Sequence, residues 1–381
     1  MIYILAKKKS LIGMLIFIVV ISTMFILFQS QKKEKFNDQL IKEVNANKNY
    51  TENERICLEF ITNRMSAQYG GIYTNYLDAS ASGDLAGGHQ VLSESEGIIM
   101  LYYIKINDKE AFDKHFKIIT DKFLMDNGLI RWRVSQKVGE STNVSASIDD
   151  LRIIRSLIYA SSKWNDTKYT NILKKVGDAL LKNNIYNDMI TNFYDLEANA
   201  IDTNINLSYV DLYTMDMLSK TENAKWQRIR TKGLGIISSG YISDRLPVYK
   251  KCYDLKDNKY HKDSKINMID SLLVVLHLSE VQAQKKQSIA WIKRQINNGA
   301  LYSEYDTLTG EKATSTESTA VYAIVASIAK NIQDDELYDM AIKKMLKLQN
   351  ENKDSQIYGS FGDENTLEVF SFDNLQALLG F

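Results

Sequence analysis

The chain has 381 residues, 45% of them hydrophobic and 25% charged, the composition of a globular protein with a substantial core. Its 47 basic and 47 acidic side chains cancel, but residues 1–35 hold six lysines and one glutamate, so the rest is net acidic by five. Nothing in that balance suggests a nucleic-acid binder, which would show a clustered basic surface, and the absence of an HExxH pair or a GxSxG elbow leaves metalloprotease and serine-hydrolase chemistry unsupported.

Taken in chain order, residues 1–10 read as a short cytoplasmic terminus. Residues 11–28, "LIGMLIFIVVISTMFILF", form an uncharged apolar run of 18, long enough to cross a bilayer as a helix. Lys7, Lys8 and Lys9 precede it, and positive charge stays on the cytoplasmic side. The expectation is a single-pass signal-anchor in the cell membrane, with the following domain extracellular. A cleaved signal peptide is the competing reading, but the run is long for one and "FQSQKKEKF" carries no small-x-small cleavage site. Residues 29–50 are polar and read as a stalk. Cys57 and Cys252 could pair outside the cell, where disulfides survive, but a core this size needs no staple, and free, buried thiols are expected.

From residue 51 the apolar period is helical almost throughout, and a single proline, Pro247, suits a helix-rich fold. The pattern predicts twelve helices: 51–67, 94–106, 109–124, 148–162, 167–182, 207–219, 222–239, 266–278, 283–296, 316–330, 334–349 and 366–379. Every second helix opens alike, with hydroxyl, acid or amide groups running into apolar residues: "SESEGIIM", "SIDDLRII", "NLSYVDLY", "NMIDSLLV", "TESTAVYA" and "SFDNLQAL". With Glu94, Asp150, Tyr209, Asp270, Ser318 and Asp373 as markers, the intervals are 56, 59, 61, 48 and 55. A repeat of helix pairs at this period predicts that residues 51–381 form one all-α domain, an (α/α)6 barrel of six inner and six outer helices. The lysine-rich amphipathic helices between, such as "NDTKYTNILKKVGDALLKN", suit the outer ring. Each polar start taken alone is also what an N-cap looks like. Six in register point to a cleft at one end.

Two carboxylates across a groove, with aromatics nearby, are the minimal equipment for cutting a glycosidic bond: one protonates the leaving oxygen, the other activates water or attacks the sugar. Trp132, in the connection "GLIRWRV", could stack on a sugar or pack its loop onto the barrel. At these residues the chain resembles glycoside hydrolase family 8. The family motif S-E-G-x-G-Y-G-M is matched by Ser93 to Met100 at Ser, Glu, the second Gly and Met. In that register Glu94 falls on the general acid; a shift of two would put Glu96 there. "GLIRWRV" resembles the segment that supplies a stacking tryptophan, Trp132. "ASIDDLRIIRSL" resembles A-T-D-x-D-L-x-I-A-Y-A-L, with Asp150 on the second acid, Asp149 beside it, and Ile148 where the first acid belongs. Asn206-Leu207-Ser208-Tyr209 resembles N-P-S-Y and puts Tyr209 in the cleft. "NMIDSLLVV" resembles Y-D-A-x-R-V, with Asp270 on the catalytic base and Leu273 in place of the arginine.

The resemblance implies an (α/α)6 fold and an inverting endo-glycosidase acting on a β-linked polysaccharide. Glu94 and Asp270 would be catalytic, and Trp132, Asp149, Asp150, Tyr209 and Glu96 would bind substrate. No metal and no cofactor are implied. Membrane-tethered members of the family accompany exopolysaccharide secretion, so the expected partners are a polysaccharide, the cell membrane and the polymer's synthesis machinery. A non-hydrolytic glycan-binding relative is the alternative, favoured by Leu273 and opposed by retention of both Glu94 and Asp270. A polysaccharide lyase would need a partner for Tyr209, and none is apparent.

Overall fold

The computed structural model describes residues 51–78, 86–135 and 141–381. Twelve α-helices run through them: α1 (Glu52–Arg64), α2 (Ser93–Lys105), α3 (Lys109–Ile118), α4 (Ser147–Trp164), α5 (Thr167–Asn183), α6 (Leu212–Thr221), α7 (Lys225–Ser239), α8 (Met268–Glu280), α9 (Lys286–Asn297), α10 (Thr319–Ile332), α11 (Asp335–Leu346) and α12 (Ser371–Gly380). The even-numbered helices pack each on the next, and α12 returns onto α2, which closes the ring. Outside it, α1 lies on α12, α3 on α2, α5 on α4, α7 on α6 and α11 on α10, so the alternation read from sequence is an (α/α)6 barrel. Among the described residues no helix is long and apolar enough to cross a membrane; the run 11–28 expected to do so lies outside them.

The ring closes because its helices are apolar on nearly every side. In α10 the run Ala320–Ala326 is wholly buried, and α2 buries Gly97 to Met100 among its neighbours. The outer helices α1, α3, α5 and α11 start on side-chain caps, Thr51, Asp108, Asp166 and Asp334, each accepting a backbone N–H of the first turn. The inner helices α2, α4, α10 and α12 start without one; the residues before them are Leu92, Ala146, Ser318 and Phe370. Their polar groups lie mostly inside the first turn and bond to one another across the ring. Ser93 Oγ donates to Asp149 Oδ2 at 2.8 Å, Ser95 and Ser371 hydroxyls meet at 3.0 Å, and Asp373 Oδ1 accepts from Ser318 Oγ at 2.9 Å. So the cap reading holds for these outer helices, and for α6 and α8 through Asp211 and Asn267, but not for the other inner starts.

Two helix starts differ from the pattern by five residues. The inner helix expected at 207–219 begins at Leu212, because Leu207–Tyr209 forms a 3-10 turn ahead of the Asp211 cap. The last helix begins at Ser371 rather than 366, since Leu367 takes φ 58° and breaks the run. Short antiparallel ribbons, unseen in the apolar period, join β1 (Val91–Leu92) to β2 (Arg133–Val134), β3 (Ile185–Tyr186) to β4 (Met189–Ile190), β5 (Tyr194–Asp195) to β6 (Ala200–Ile201), and β10 (Lys265–Asn267) to β11 (Glu304–Asp306). A three-stranded one joins β7 (Asn204–Asn206), β8 (Cys252–Asp254) and β9 (Lys259–Tyr260). Cys57 and Cys252 are both free and buried.

Three buried ionic devices hold the domain. At the waist, Arg155 of α4 donates to Glu280 of α8, to Asp211 and, at 2.8 Å, to Thr214 Oγ1, while His277 closes the group onto Glu280 at 3.3 Å. Burial alone would raise the Asp211 carboxyl, but Arg155 and His277 overcome it and hold it down at about 2. Glu96 is fully buried and accepts from the Ile72 backbone N–H at 2.9 Å and pairs with His115 Nδ1 at 2.7 Å. Asp150, also fully buried, accepts the Ile130 N–H at 2.8 Å. Burial holds the Asp150 carboxyl well above the usual carboxylate range, only partly countered by that bond.

Removing one member of the waist cluster strands the others. Arg155→Met should cost about 3–5 kcal/mol in urea unfolding at neutral pH, because two buried carboxylates lose their cation. Adding Asp211→Asn and Glu280→Gln should recover much of that loss; no recovery would mean that Arg155 acts through packing. Asp150 obeys the opposite sign. Its folded-state pKa lies above the unfolded value of about 3.9, so its contribution is complete in acid and fades as pH rises toward the folded value. Asp150→Asn keeps the acceptor and should equal or exceed the natural protein in stability at neutral pH, increasingly so as pH rises. Asp150→Leu should lose about 1–3 kcal/mol by leaving the Ile130 N–H unpaired.

Candidate active site

The N-terminal ends of the inner helices gather Glu94, Asp149, Tyr209 and Asp270. Helical turn decides which acid faces inward. Two residues are about 200° of rotation, so Glu94 and Glu96 leave α2 on nearly opposite sides. Glu94 stays partly accessible, whereas Glu96 is spent on Ile72 and His115 on the outer side. The expectation that Glu96 binds substrate is corrected: it has no open side. The same correction applies to Asp150. Asp149 bonds Ser93 at the cleft end, while Asp150, about 100° further round, turns into the core toward Ile130.

Ile130 is two residues from Trp132, and Ile72 precedes Tyr73, so each buried acid pins the loop that carries one of these aromatics. The Trp132 loop is fixed further by its own backbone: its carbonyl accepts the Ser93 N–H at 3.0 Å, and its N–H reaches Val144 at 2.9 Å. Trp132 is partly exposed, with the Arg133 guanidinium 4.5 Å over its ring. Tyr73 stacks on His89, ring centres 4.0 Å apart and planes 11° from parallel.

Electrostatics tie the acids together. Burial pushes the Glu94 carboxyl up to about 7; Arg152 opposes the rise and the Asp149 carboxylate adds to it. The like-charge neighbour of Glu94 is therefore Asp149, not Glu96. Burial raises Asp149 too, against the 2.6 Å ion pair with Arg152 Nη1 and the Ser93 bond. The Arg152 stem runs over α2 where Gly97 lacks a side chain; a Cβ there would lie 3.2 Å from it. The Tyr209 hydroxyl is raised by burial and then by the charges of Asp149, Glu94 and Asp270 together, so it feels both sides of the opening.

Asp270 sits differently. Its side chain is 27% exposed, and among the described residues it has one ion pair, a 3.5 Å contact with Lys251 Nζ, itself half in solvent. Its backbone N–H is held by the Asn267 cap at 3.3 Å. Sequence reasoning missed Arg152 and Lys251. Arg152 had a signal, the acid-to-base spacing of three residues from Asp149 on one helix. Lys251 had none, because it arrives from the segment before β8. One cluster of metal-ligand type among the described residues, Asp211, His277 and Glu280, lies away from these acids and already holds the Arg155 guanidinium against both its carboxylates.

Known proteins bear on this arrangement. Residues 86–344 match the profile of Glycosyl hydrolases family 8. The chain is 30% identical over 298 residues to the putative lipoprotein YdaJ of Bacillus subtilis, covering 78% of this chain and 80% of that one. Among solved structures, one described as a novel alpha-amylase from Clostridium perfringens superposes with a TM-score of 0.79 at 39% identity, over 86% of this chain and 96% of that one. The family 8 endoglucanase Cel10 of Klebsiella pneumoniae shares the fold with a TM-score of 0.60 at 17% identity, over 85% and 97%. With its profile match spanning most of the barrel, the chain belongs to glycosyl hydrolases family 8 and is a glycoside hydrolase.

Proposed function

We propose that the protein is an inverting endo-glycosidase acting on a β-linked secreted exopolysaccharide, with Glu94 as general acid and Asp270 as general base. The observation that carries this reading is the contrast between the two carboxyls. Glu94, held up at about 7 by burial and Asp149, keeps a proton to give to a leaving oxygen at neutral pH. Asp270 is open to water and beside a lysine, as a base that recruits a water must be. The two belong to the first and fourth of six inner helices, opposite positions in a closed ring. That opposition favours the wide separation of about 6.5–9.5 Å that leaves room for a water and inverts the anomeric centre. Trp132 supplies the aromatic platform and Tyr209 a hydroxyl between the two sides.

Surface attachment through residues 11–28 fits a relative named as a lipoprotein, and an extracellular domain would meet a secreted polymer. A second reading concerns the linkage: the Clostridium perfringens structure, at 39% identity, is described as an alpha-amylase. Starch and mixed β-glucan offered side by side distinguish the two linkages by the reducing ends released. A glycan-binding role without hydrolysis is the third outcome of that assay.

The pH profile tests the assignment. Activity should fall above neutral pH as Glu94 loses its proton. Glu94→Gln and Asp270→Asn should each reduce turnover by about 10²–10⁴-fold, and proton NMR of the first product should show the inverted anomer. Asp149→Asn removes the charge that raises Glu94 and should move the alkaline limb down; Arg152→Met removes the opposing cation and should move it up. Limbs that stay put in both variants would take the acid role away from Glu94.

A further inference from the structure

Outside the cleft, a groove of about 690 Å³ opens between the outer helix α9 and the turn that follows β11. Arg245, Arg294 and Lys312 line it, against one acid, Glu311. In a chain whose residues beyond 35 are net acidic, that is a local reversal of sign. Neither arginine pairs with a carboxylate among the described residues: Arg245 has one long bond, 3.5 Å to the Leu308 carbonyl, and Arg294 has no side-chain bond. Solvated surface arginines are common, so the walls matter more than the charges.

The walls are fixed. The turn 306–310 is stitched by Asp306, which accepts the N–H groups of Leu308 at 2.9 Å and Thr309 at 2.7 Å. Gly310 takes φ +74°, open to glycine, and a Cβ there would lie 3.1 Å from the Arg245 stem, so the turn seats that arginine. The floor is Trp291 edge-on to Tyr305, centres 4.9 Å apart, and the Tyr305 hydroxyl accepts the Tyr302 N–H at 3.2 Å. The Tyr302 ring already faces a cation, Lys312 Nζ at 4.2 Å. Forked guanidiniums suit planar carboxylates, and a preformed site loses less entropy on binding. The volume lies within the range of about 300–1,000 Å³ typical of ligand sites.

We propose that this groove is a second glycan site, separate from the cleft, which holds a carboxylate-bearing stretch of polysaccharide through Arg245 and Arg294, with a sugar face against Tyr302. It rests on the reading that a polysaccharide is the substrate. The groove and the cleft share one ribbon: β11 pairs with β10 in the register Glu304 to Asn267, and Asn267 caps the helix that carries Asp270. A polymer held in the groove is thereby presented beside the wall of the cleft.

The test reads the tryptophan side-chain N–H signals of the isotope-labelled full chain, whose four tryptophans include Trp291 in the groove and Trp132 at the cleft. Titration with hexagalacturonate at low salt should shift Trp291 saturably, with affinity falling as salt is added. Arg245→Glu/Arg294→Glu should weaken that binding by roughly tenfold or more, and Arg245→Gln/Arg294→Gln serves if the charge reversal impairs folding. Movement of Trp132 alone, or unchanged affinity in both variants, would overturn the proposal. An equal response of Trp291 to neutral cellohexaose would overturn it too, as would a response to inorganic phosphate with none to hexagalacturonate. No turnover enters the readout, so failure of the catalytic assignment leaves this result standing on its own.

Discussion

The site depends on one constraint: a closed ring of helices brings two first-turn carboxylates, Glu94 and Asp149, together at neighbouring helix starts with one guanidinium, Arg152, to share. Helix N-termini favour anions, worth about 0.3–1 kcal/mol each at exposed positions. Burial opposes them, and here it wins for Glu94 because Arg152 commits its closest bond to Asp149, at 2.6 Å. Ser93 adds a donor to the same carboxylate at 2.8 Å. Asp149 is thus the better compensated of the two, and the uncompensated remainder falls on Glu94. A proton on Glu94 at neutral pH follows from how three neighbouring groups are divided.

The waist of the barrel shows the opposite division with the same residue types. Asp211 and Glu280 each receive Arg155, Asp211 gains Thr214 as well, and the Asp211 carboxyl falls to about 2 in spite of being buried. The two clusters differ in how many donors each carboxylate gets. Where donors match acids the charges are fixed and the helices are tied together; where they fall short, a proton is left to move. The two clusters diverge in this way although both are buried and both contain an arginine on α4, three residues apart.

Much of this was legible in the sequence, and the failures have a common cause. The twelve helices and their alternation follow from apolar period, because burying one face is what the ring demands of each helix. The ribbons at the cleft end have only two or three residues per strand, too short for a period of two to register. The acids at helix starts were visible as a group, but a start motif does not say which member faces inward. Glu94 against Glu96, and Asp149 against Asp150, differ only in rotation about the helix axis. Asp150 and Glu96 are drawn away from the cleft by loop N–H groups at Ile130 and Ile72, partners 20 and 24 residues away that no local pattern reveals. Lys251 escaped for the same reason, since its contact with Asp270 is made across a turn of the barrel.

Lys251 also bears on the departure at Leu273. An arginine three residues after Asp270 would lie on the same helix face and carry a fixed fork. Leu273 cannot pair, and it is partly buried among its neighbours. The cation beside Asp270 comes instead from a flexible stem, 49% exposed, at 3.5 Å. Such a pair is screened by salt and contributes little to stability. The opening is therefore asymmetric: on the Glu94 side neighbouring groups fix a proton by withholding donors, while the Asp270 side faces solvent and a flexible cation. Asp270 is thereby left without a fixed fork beside it, whereas Glu94 and Asp149 share one in Arg152.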